Sequence, residues 1–245
     1  MVKIMERIDD LGCKGLKIIQ NTDGFCFGMD AVLLSDFAKD IKRNAKVIDL
    51  GTGTGIIATL LCGKTDLKEI IGVEVQKEVC EMARRSIELN NLQDRFSILE
   101  ANIKDLDKKL PVASFDAIVT NPPYKRENTG LQNEKETKLI ARHEILCNLE
   151  DIVRVSGKLL KDKGVFYMVH RPERLVDIFC EMRKVGLEPK KIRLVKPKEN
   201  AKPNIVLIKA VKNGKPFLQV EKELTVYEQN GDYTDEILKI YEKER

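Results

Sequence analysis

No stretch of the 245-residue sequence approaches the roughly 18 to 20 continuous apolar residues needed to cross a bilayer. The longest uncharged stretch, around GTGTGIIATLLCG, is short and glycine-rich. Charged residues follow Met1 within a few positions, so no signal peptide is visible, and a cytoplasmic protein with no membrane partner is expected. The cysteines Cys13, Cys26, Cys62, Cys80, Cys147 and Cys180 never form a CxxC pair. That spacing argues against a zinc site or a disulfide framework, so reduced structural cysteines and no metal are expected. Internal repeats and low-complexity segments are also absent, and nothing marks a second domain.

What is present suits one large α/β domain: 42% hydrophobic residues can fill a sizeable core, and 33% charge is ordinary for a soluble chain. The net charge of +4 conceals an asymmetry. Residues 157–215 hold 16 Lys and Arg against 6 Asp and Glu, a balance of +10 that leaves −6 for the rest. A basic third suits a polyanion such as nucleic acid, although lysines solvating helix faces and strand ends would give the same count.

Apolar runs of strand length alternate with amphipathic runs of helix length, the pattern of a mostly parallel sheet with helices on both faces. Strands are expected at 16–20, 45–50, 69–75, 95–101, 115–124, 164–170, 187–197 and 203–212. Helices are expected at 29–39, from Ile56 to Gly63, at 77–92, in two pieces over 138–160, and at 172–185. Residues 125–137 read as a loop. The chain divides into an N-terminal hairpin and helix (1–40) packing over the site, a core (41–213) and a charged extension (214–245) that ends in a short helix, together effectively one domain.

The string VIDLGTGTGI (47–56) places a carboxylate at the end of a buried strand, then Gly51, Gly53 and Gly55 at alternate positions opening a helix. Glycine serves where the backbone turns sharply against a ligand. In the dinucleotide fingerprint the third glycine follows the second by three positions, whereas here it follows by two, which suits a ligand without a pyrophosphate. Asp49 would then face a cationic amino group. Glu74 closes the next strand nineteen residues after Gly55, where doubly wound folds offer an acid to ribose hydroxyls. Asn102 and Ile103 follow the third strand, where an amide can bond an adenine ring and an apolar side chain can pack on its face. A bare structural turn or a solvated strand-end glutamate would produce the same strings.

NPPY (121–124) follows the fourth strand. Its prolines fix the backbone. A planar exocyclic amine would donate one N–H to the Asn121 side chain and the other to the Pro122 carbonyl, while Tyr124 stacks on the flat target. Loss of conjugation with the ring raises the lone-pair density that attack on a sulfonium methyl requires. The amine becomes acidic as the bond forms, so no strong base is needed.

Taken together, these motifs resemble the class I S-adenosylmethionine-dependent methyltransferases of planar amines, over nearly the whole chain. FCFGMDAVLLSDF (25–37), ARHE (141–144) and the short stretch before the glycine turn are similar to the small-domain bacterial enzymes that methylate the adenine beside the anticodon of valine tRNA. The resemblance implies a Rossmann-like, doubly wound, seven-stranded, mostly parallel sheet with an antiparallel last strand. It implies S-adenosyl-L-methionine as cofactor, contacted by Asp30, Asp49, Gly51, Thr52, Gly53, Gly55, Glu74, Val75, Asn102, Ile103 and Asn121. Asn102 stands where an aspartate is more usual. Asn121, Pro122, Pro123 and Tyr124 would hold the target base, with Lys125, Arg126, Arg142 and His143 toward the substrate, although His143 and Glu144 would equally suit helix-surface pairs. RNA, and tRNA in particular, is the implied partner, and a monomer is favoured.

Other readings keep the motifs but change the target: a release-factor glutamine amide, or the exocyclic amine of ribosomal guanine. Glutamine enzymes of this kind carry a helical N-terminal domain, and only about 45 residues precede the first central strand here. DNA adenine methylation lacks a recognition domain. A nicotinamide-dependent dehydrogenase is disfavoured by the glycine gap, and a binding module without catalysis by the intact NPPY.

Overall fold

The computed structural model describes residues 5–22, 28–122 and 148–242, and elements are numbered in chain order over them. An antiparallel hairpin of β1 (Glu6–Asp10) and β2 (Lys17–Asn21) precedes helix α1 (Met29–Phe37). The core alternates β3 (Lys46–Leu50), α2 (Ile56–Lys64), β4 (Glu69–Glu74), α3 (Lys77–Leu89), β5 (Phe96–Glu100), the short α4 (Leu106–Lys109) and β6 (Phe115–Thr120). After α5 (Leu149–Leu159) come β7 (Leu160–His170), α6 (Leu175–Lys184), β8 (Leu187–Lys196) and β9 (Ile205–Lys212). The tail adds β10 (Gln219–Val220), β11 (Leu224–Thr225) and α7 (Asp235–Ile240).

The main sheet runs β10-β8-β9-β7-β6-β3-β4-β5, with β11 also on β8. Strands β3 to β7 pair in parallel, and β9 inserts antiparallel between β7 and β8. The seven long strands therefore form the expected mostly parallel sheet with an antiparallel last strand. Two-residue strands from the tail lengthen it beyond that expectation. Every residue of β6 is buried, as a strand covered on both faces requires, which is why FDAIVT reads as one apolar run interrupted only by Asp116 and Thr120.

The sheet divides the core into two layers. One joins Val47, Ile70, Ala117 and Val119 to α1 and α2, and the other joins Ile48, Leu50, Ile118 and Phe166 to α5 and α6. α3 buries Cys80, Ala83 and Ile87 at helical spacing and stops at Asn90 and Asn91, the latter left-handed at φ 54°. α5 opens with a reciprocal cap between Asn148 and Asp151. Of the helical span expected over 138–160, the part before residue 148 lies outside the described residues. β7 begins at Leu160, ahead of the expected Gly164, because Leu160 pairs with Phe115 before a bulge. The charged Lys161-Asp162-Lys163 hides this start in sequence.

The hairpin is seated by α3. Ile19 N donates to Ser86 Oγ at 3.0 Å, Lys17 N to Asn90 Oδ1 at 2.8 Å, and Asn90 Nδ2 to the Lys17 carbonyl at 2.7 Å. Arg85 clasps both oxygens of Glu6 at 2.7 and 2.6 Å. These side chains satisfy an edge strand that would otherwise present unpaired amides. The tail is equally built in: Leu224, Val226, Ile237 and Ile240 are buried in the α1–α2 layer, and Lys64 Nζ donates to the Ile240 carbonyl at the end of α7, 3.2 Å away. Tyr227, Tyr233 and Tyr241 stack there in sequence, with centroids 5.3 and 5.6 Å apart.

Candidate active site

In a doubly wound sheet, ligands bind where the parallel strands end at their carboxyl edge. At that edge β3 ends in Leu50, and the chain turns through Gly51 (φ 71°), Gly53 (φ 56°) and Gly55 (φ 90°) into α2. The three glycines differ in role. A Cβ on Gly51 or Gly53 would meet nothing within 4 Å, so open space lies over both. A Cβ on Gly55 would press on the Phe96 ring at 3.1 Å, so this glycine permits close packing of helix on sheet. The amides of Gly51 and Thr52 both donate to the Val73 carbonyl, at 3.0 and 2.9 Å, which fixes the turn to β4.

Asp49 lies beneath the turn and is fully buried. The Thr52 hydroxyl donates to its Oδ2 at 2.7 Å, while Oδ1 has no hydrogen-bond partner among the described residues. Burial pushes its pKa up to about 7, with a further push from Glu74 and only partial opposition from the Thr52 hydroxyl and the Ala58 amide. A buried carboxylate oxygen without a partner is costly and needs explanation, and a cationic ligand group would supply one.

Glu74 ends β4 nearly buried and ties two loops together. Its Oε1 accepts from the amides of Val75 and Gln76, at 2.8 and 2.9 Å, and Oε2 accepts from Gly53 N at 3.2 Å. Gln76 Nε2 adds a longer contact at 3.4 Å. A carboxylate has about four lone-pair sites, so Oε2 keeps capacity for a hydroxyl. Val75, 37% exposed, forms an apolar ledge beside it. After β5, Asn102 Oδ1 accepts from Lys104 N at 3.0 Å and caps a single 3-10 turn, which leaves its amide nitrogen for a ligand. Ile103 is half-buried against the second core layer.

Asn121 and Pro122 leave β6 directly beside the glycine turn. Leu50 pairs with Thr120, and the buried Thr120 hydroxyl donates to the Leu50 carbonyl at 2.9 Å, locking the two strand ends in register. Asn121 is half-buried and Pro122 buried. The structure thus gathers Asp49, Gly51, Thr52, Gly53, Glu74, Val75, Asn121 and Pro122 at one edge, with Asn102 and Ile103 at the end of the neighbouring β5. Asp30, buried in the first turn of α1, stands near the tail: after burial and the other two tyrosines, its charge is a further cause of the raised Tyr241 pKa. Pro123, Tyr124, Lys125, Arg126, Arg142, His143 and Glu144, like Cys26 and Cys147, lie outside the described residues.

His170 and Arg171 end β7 at the same edge. Buried His170 is pushed down to about 4 by desolvation, with Arg174 adding to the effect, and its Nδ1 accepts from Arg171 N at 2.8 Å. Arg171 precedes Pro172, which opens a 3-10 turn, so the pair serves a helix start. Sequence reasoning missed Thr120 and Gln76, since neither belongs to a motif. A signal for Gln76 existed: a buried acid at a strand end needs donors from the next turn. Among the described residues no group of three His, Cys, Asp or Glu side chains is placed to hold a metal ion. None of the helices among them is long and apolar enough to cross a membrane.

Comparison with known proteins agrees with this geometry. Residues 27–177 match the methyltransferase small domain family. A predicted O-methyltransferase from Agrobacterium tumefaciens superposes with TM-score 0.71 at 22% identity, over 87% of this chain and 96% of that one. A 16S rRNA N2 methyltransferase from Thermus thermophilus, solved with AdoMet and guanosine, gives TM-score 0.59 at 19% identity, over 85% and 51%. These establish the Rossmann-like methyltransferase fold. The chain belongs to the methyltransferase small domain family and is a methyltransferase. It is 27% identical over 195 residues to the tRNA1(Val) (adenine(37)-N6)-methyltransferase of Flavobacterium johnsoniae, covering 79% of this chain and 82% of that protein. The enzyme of the same name from Trichodesmium erythraeum is 27% identical over 230 residues, covering 92% of each.

Proposed function

We propose that this chain is an S-adenosyl-L-methionine-dependent N-methyltransferase of the exocyclic amine of adenine in RNA, with the tRNA adenine at position 37 as its target. The observation that carries the reading is the locked register of β3 and β6, which sets Asn121 and Pro122 against the turn of Gly51 and Gly53. Acceptors for a planar amine and a cradle for a small cofactor are then neighbours. The names of the relatives from several organisms support the choice of adenine in tRNA.

The residues at the edge fit the cofactor. Open space over Gly51 and Gly53 admits it, and the unpartnered Oδ1 of Asp49 suits its amino group, with Asp30 toward the same end. Glu74 would take the ribose hydroxyls, and Val75, Ile103 and the Asn102 amide the adenine ring. When bound, S-adenosylmethionine supplies a methyl group activated by positive sulfur. Asn121 Oδ1 and the Pro122 carbonyl accept the two N–H groups of the target amine and turn its lone pair toward that methyl, with Pro123 and Tyr124 completing the slot. An anticodon-loop base is already unpaired, so splaying it into the slot costs little.

The experiment is transfer of labelled methyl from S-adenosylmethionine to tRNA lacking its own modifications, followed by nuclease digestion and mass identification of the nucleoside. N6-methyladenosine is expected. Label appearing in guanosine, or only in release-factor protein, would move the target to one of the other planar amines.

A further inference from the structure

The basic third of the sequence is sorted by the fold. Most of its sixteen cations are neutralised within the protein. Lys158, Lys161 and Lys209 pair with Asp107, Asp116 and Asp40, while Arg174, Arg183 and Lys184 pair with Asp177, Glu188 and Glu181. The densest stretch, on β8, is covered by the tail: Lys191 meets Glu221 at 2.8 Å, Arg193 meets Glu236 at 2.5 Å, and Lys196 meets Glu223 at 3.0 Å. Of the two readings the basic third allowed, much of it is thus ion-paired within the protein rather than offered whole to a polyanion. Lysines read from sequence as a binding face are ion-paired to the chain's own acidic tail.

Strand polarity separates the remainder. Lys190, Lys212 and Lys215 lie where β8 begins and β9 ends, at the edge opposite the site, and the first two donate to the carbonyls of Lys215 and Val185. Lys198 and Lys202 lie between the end of β8 and the start of β9, at the edge where β6 and β7 also end. Both are exposed on a compact turn. Pro197 and Pro203 bracket it, Ala201 N donates to the Lys198 carbonyl at 3.0 Å, and Asn204 N to the Val195 carbonyl at 3.0 Å. Arg171 Nη1 ties the turn to β7 through the Asn204 carbonyl at 2.5 Å. Among the described residues Lys198 Nζ reaches only the Gln229 carbonyl, at 3.5 Å, and Glu199 is the one acid within the turn.

We infer that the β8–β9 turn is a phosphate-binding rim, on which Lys198 and Lys202 hold the RNA backbone flanking the target base. Neighbouring strands lie about 4.8 Å apart, so β9 stands about 10 Å and β8 about 14 Å from β6. The turn therefore lies two to three strands from Asn121 along the same edge, within the reach of phosphates belonging to nucleotides that adjoin the base. The turn is held by backbone hydrogen bonds and prolines, so it meets the strand preformed, and the inference rests on the RNA reading of the site.

The test is RNA binding and methyl transfer by the full chain carrying K198A/K202A, with K190A/K215A as the control from the opposite edge. Each phosphate contact on a single strand contributes about 0.7 to the slope of log affinity against log salt, so the rim variant should lose about 1.4 of slope. Its KM for RNA should rise on the order of tenfold, with kcat and S-adenosylhomocysteine affinity unchanged. E199Q should shift affinity the other way. A slope that falls equally in the control, or not at all in the rim variant, overturns the rim while leaving RNA methylation standing. A native protein that binds and methylates no RNA overturns both.

Discussion

Two carboxylates on neighbouring strands show how the ends of one sheet differ. Asp116, at the amino end of β6, accepts from Lys161 and Lys42 at 2.8 Å each and from Lys46 N at 2.9 Å. Burial raises its pKa, but those donors outweigh it and hold the group at about 2. Asp49, at the carboxyl end of β3, is opposed in its burial only by the Thr52 hydroxyl and the Ala58 amide, its Oδ1 has no hydrogen-bond partner among the described residues, and its pKa is near 7. One acid is satisfied by the protein itself. The other is left for something the protein binds, and perturbed groups of that kind mark functional edges.

The largest effect should come from the carboxyl edge. Asn121→Ala should cut methyl transfer at least about 100-fold, the scale of losing one poised polar partner, while S-adenosylhomocysteine binding stays nearly intact. Steady-state kinetics beside calorimetry checks this, and unchanged turnover would break the proposed geometry. Glu74→Ala should weaken cofactor binding by about 1–3 kcal/mol. It should also destabilise the turn, since the Gly53, Val75 and Gln76 amides lose their acceptor.

Asp49→Asn sharpens the contrast through pH. A folded pKa raised to about 7 means that Asp49's favourable contribution is complete below about pH 4 and lost as pH rises through 7. The cofactor-free variant should therefore match the native protein near pH 4 and exceed it by about 1–2 kcal/mol at pH 8, while binding cofactor at least about tenfold more weakly. Urea unfolding at both pH values measures it. A variant less stable at pH 8 would show that Asp49 is compensated after all. Asp116→Asn should do the reverse, costing about 1–2 kcal/mol at pH 7 with turnover unchanged. Its folded pKa is depressed, so that deficit should shrink as pH falls from about 4 toward 2.

The sheet was readable because doubly covered strands leave continuous apolar runs, as AKVIDL and FDAIVT do. The glycine turn and the acids around it were readable because backbone conformation and charge at strand ends are local properties. β1 was not located by residue, since ERIDD is polar and half-exposed and owes its place to Arg85 on a distant helix. Asn90 ends α3, but its second task, bonding both backbone groups of Lys17, depends on a fold not visible locally. The tail read as a charged extension because thirteen acids and bases surround the few residues, Leu224, Val226, Ile237 and Ile240, that anchor it. Counting charge along the chain likewise could not reveal that Glu221, Glu223 and Glu236 would neutralise β8.

The most direct test is a crystal structure with S-adenosylhomocysteine soaked into the site. The ligand should lie over Gly51 and Gly53, its amino group against Asp49 and its ribose against Glu74, with Asn121 facing the sulfur. Density elsewhere, or an empty carboxyl edge at saturating ligand, would contradict the account.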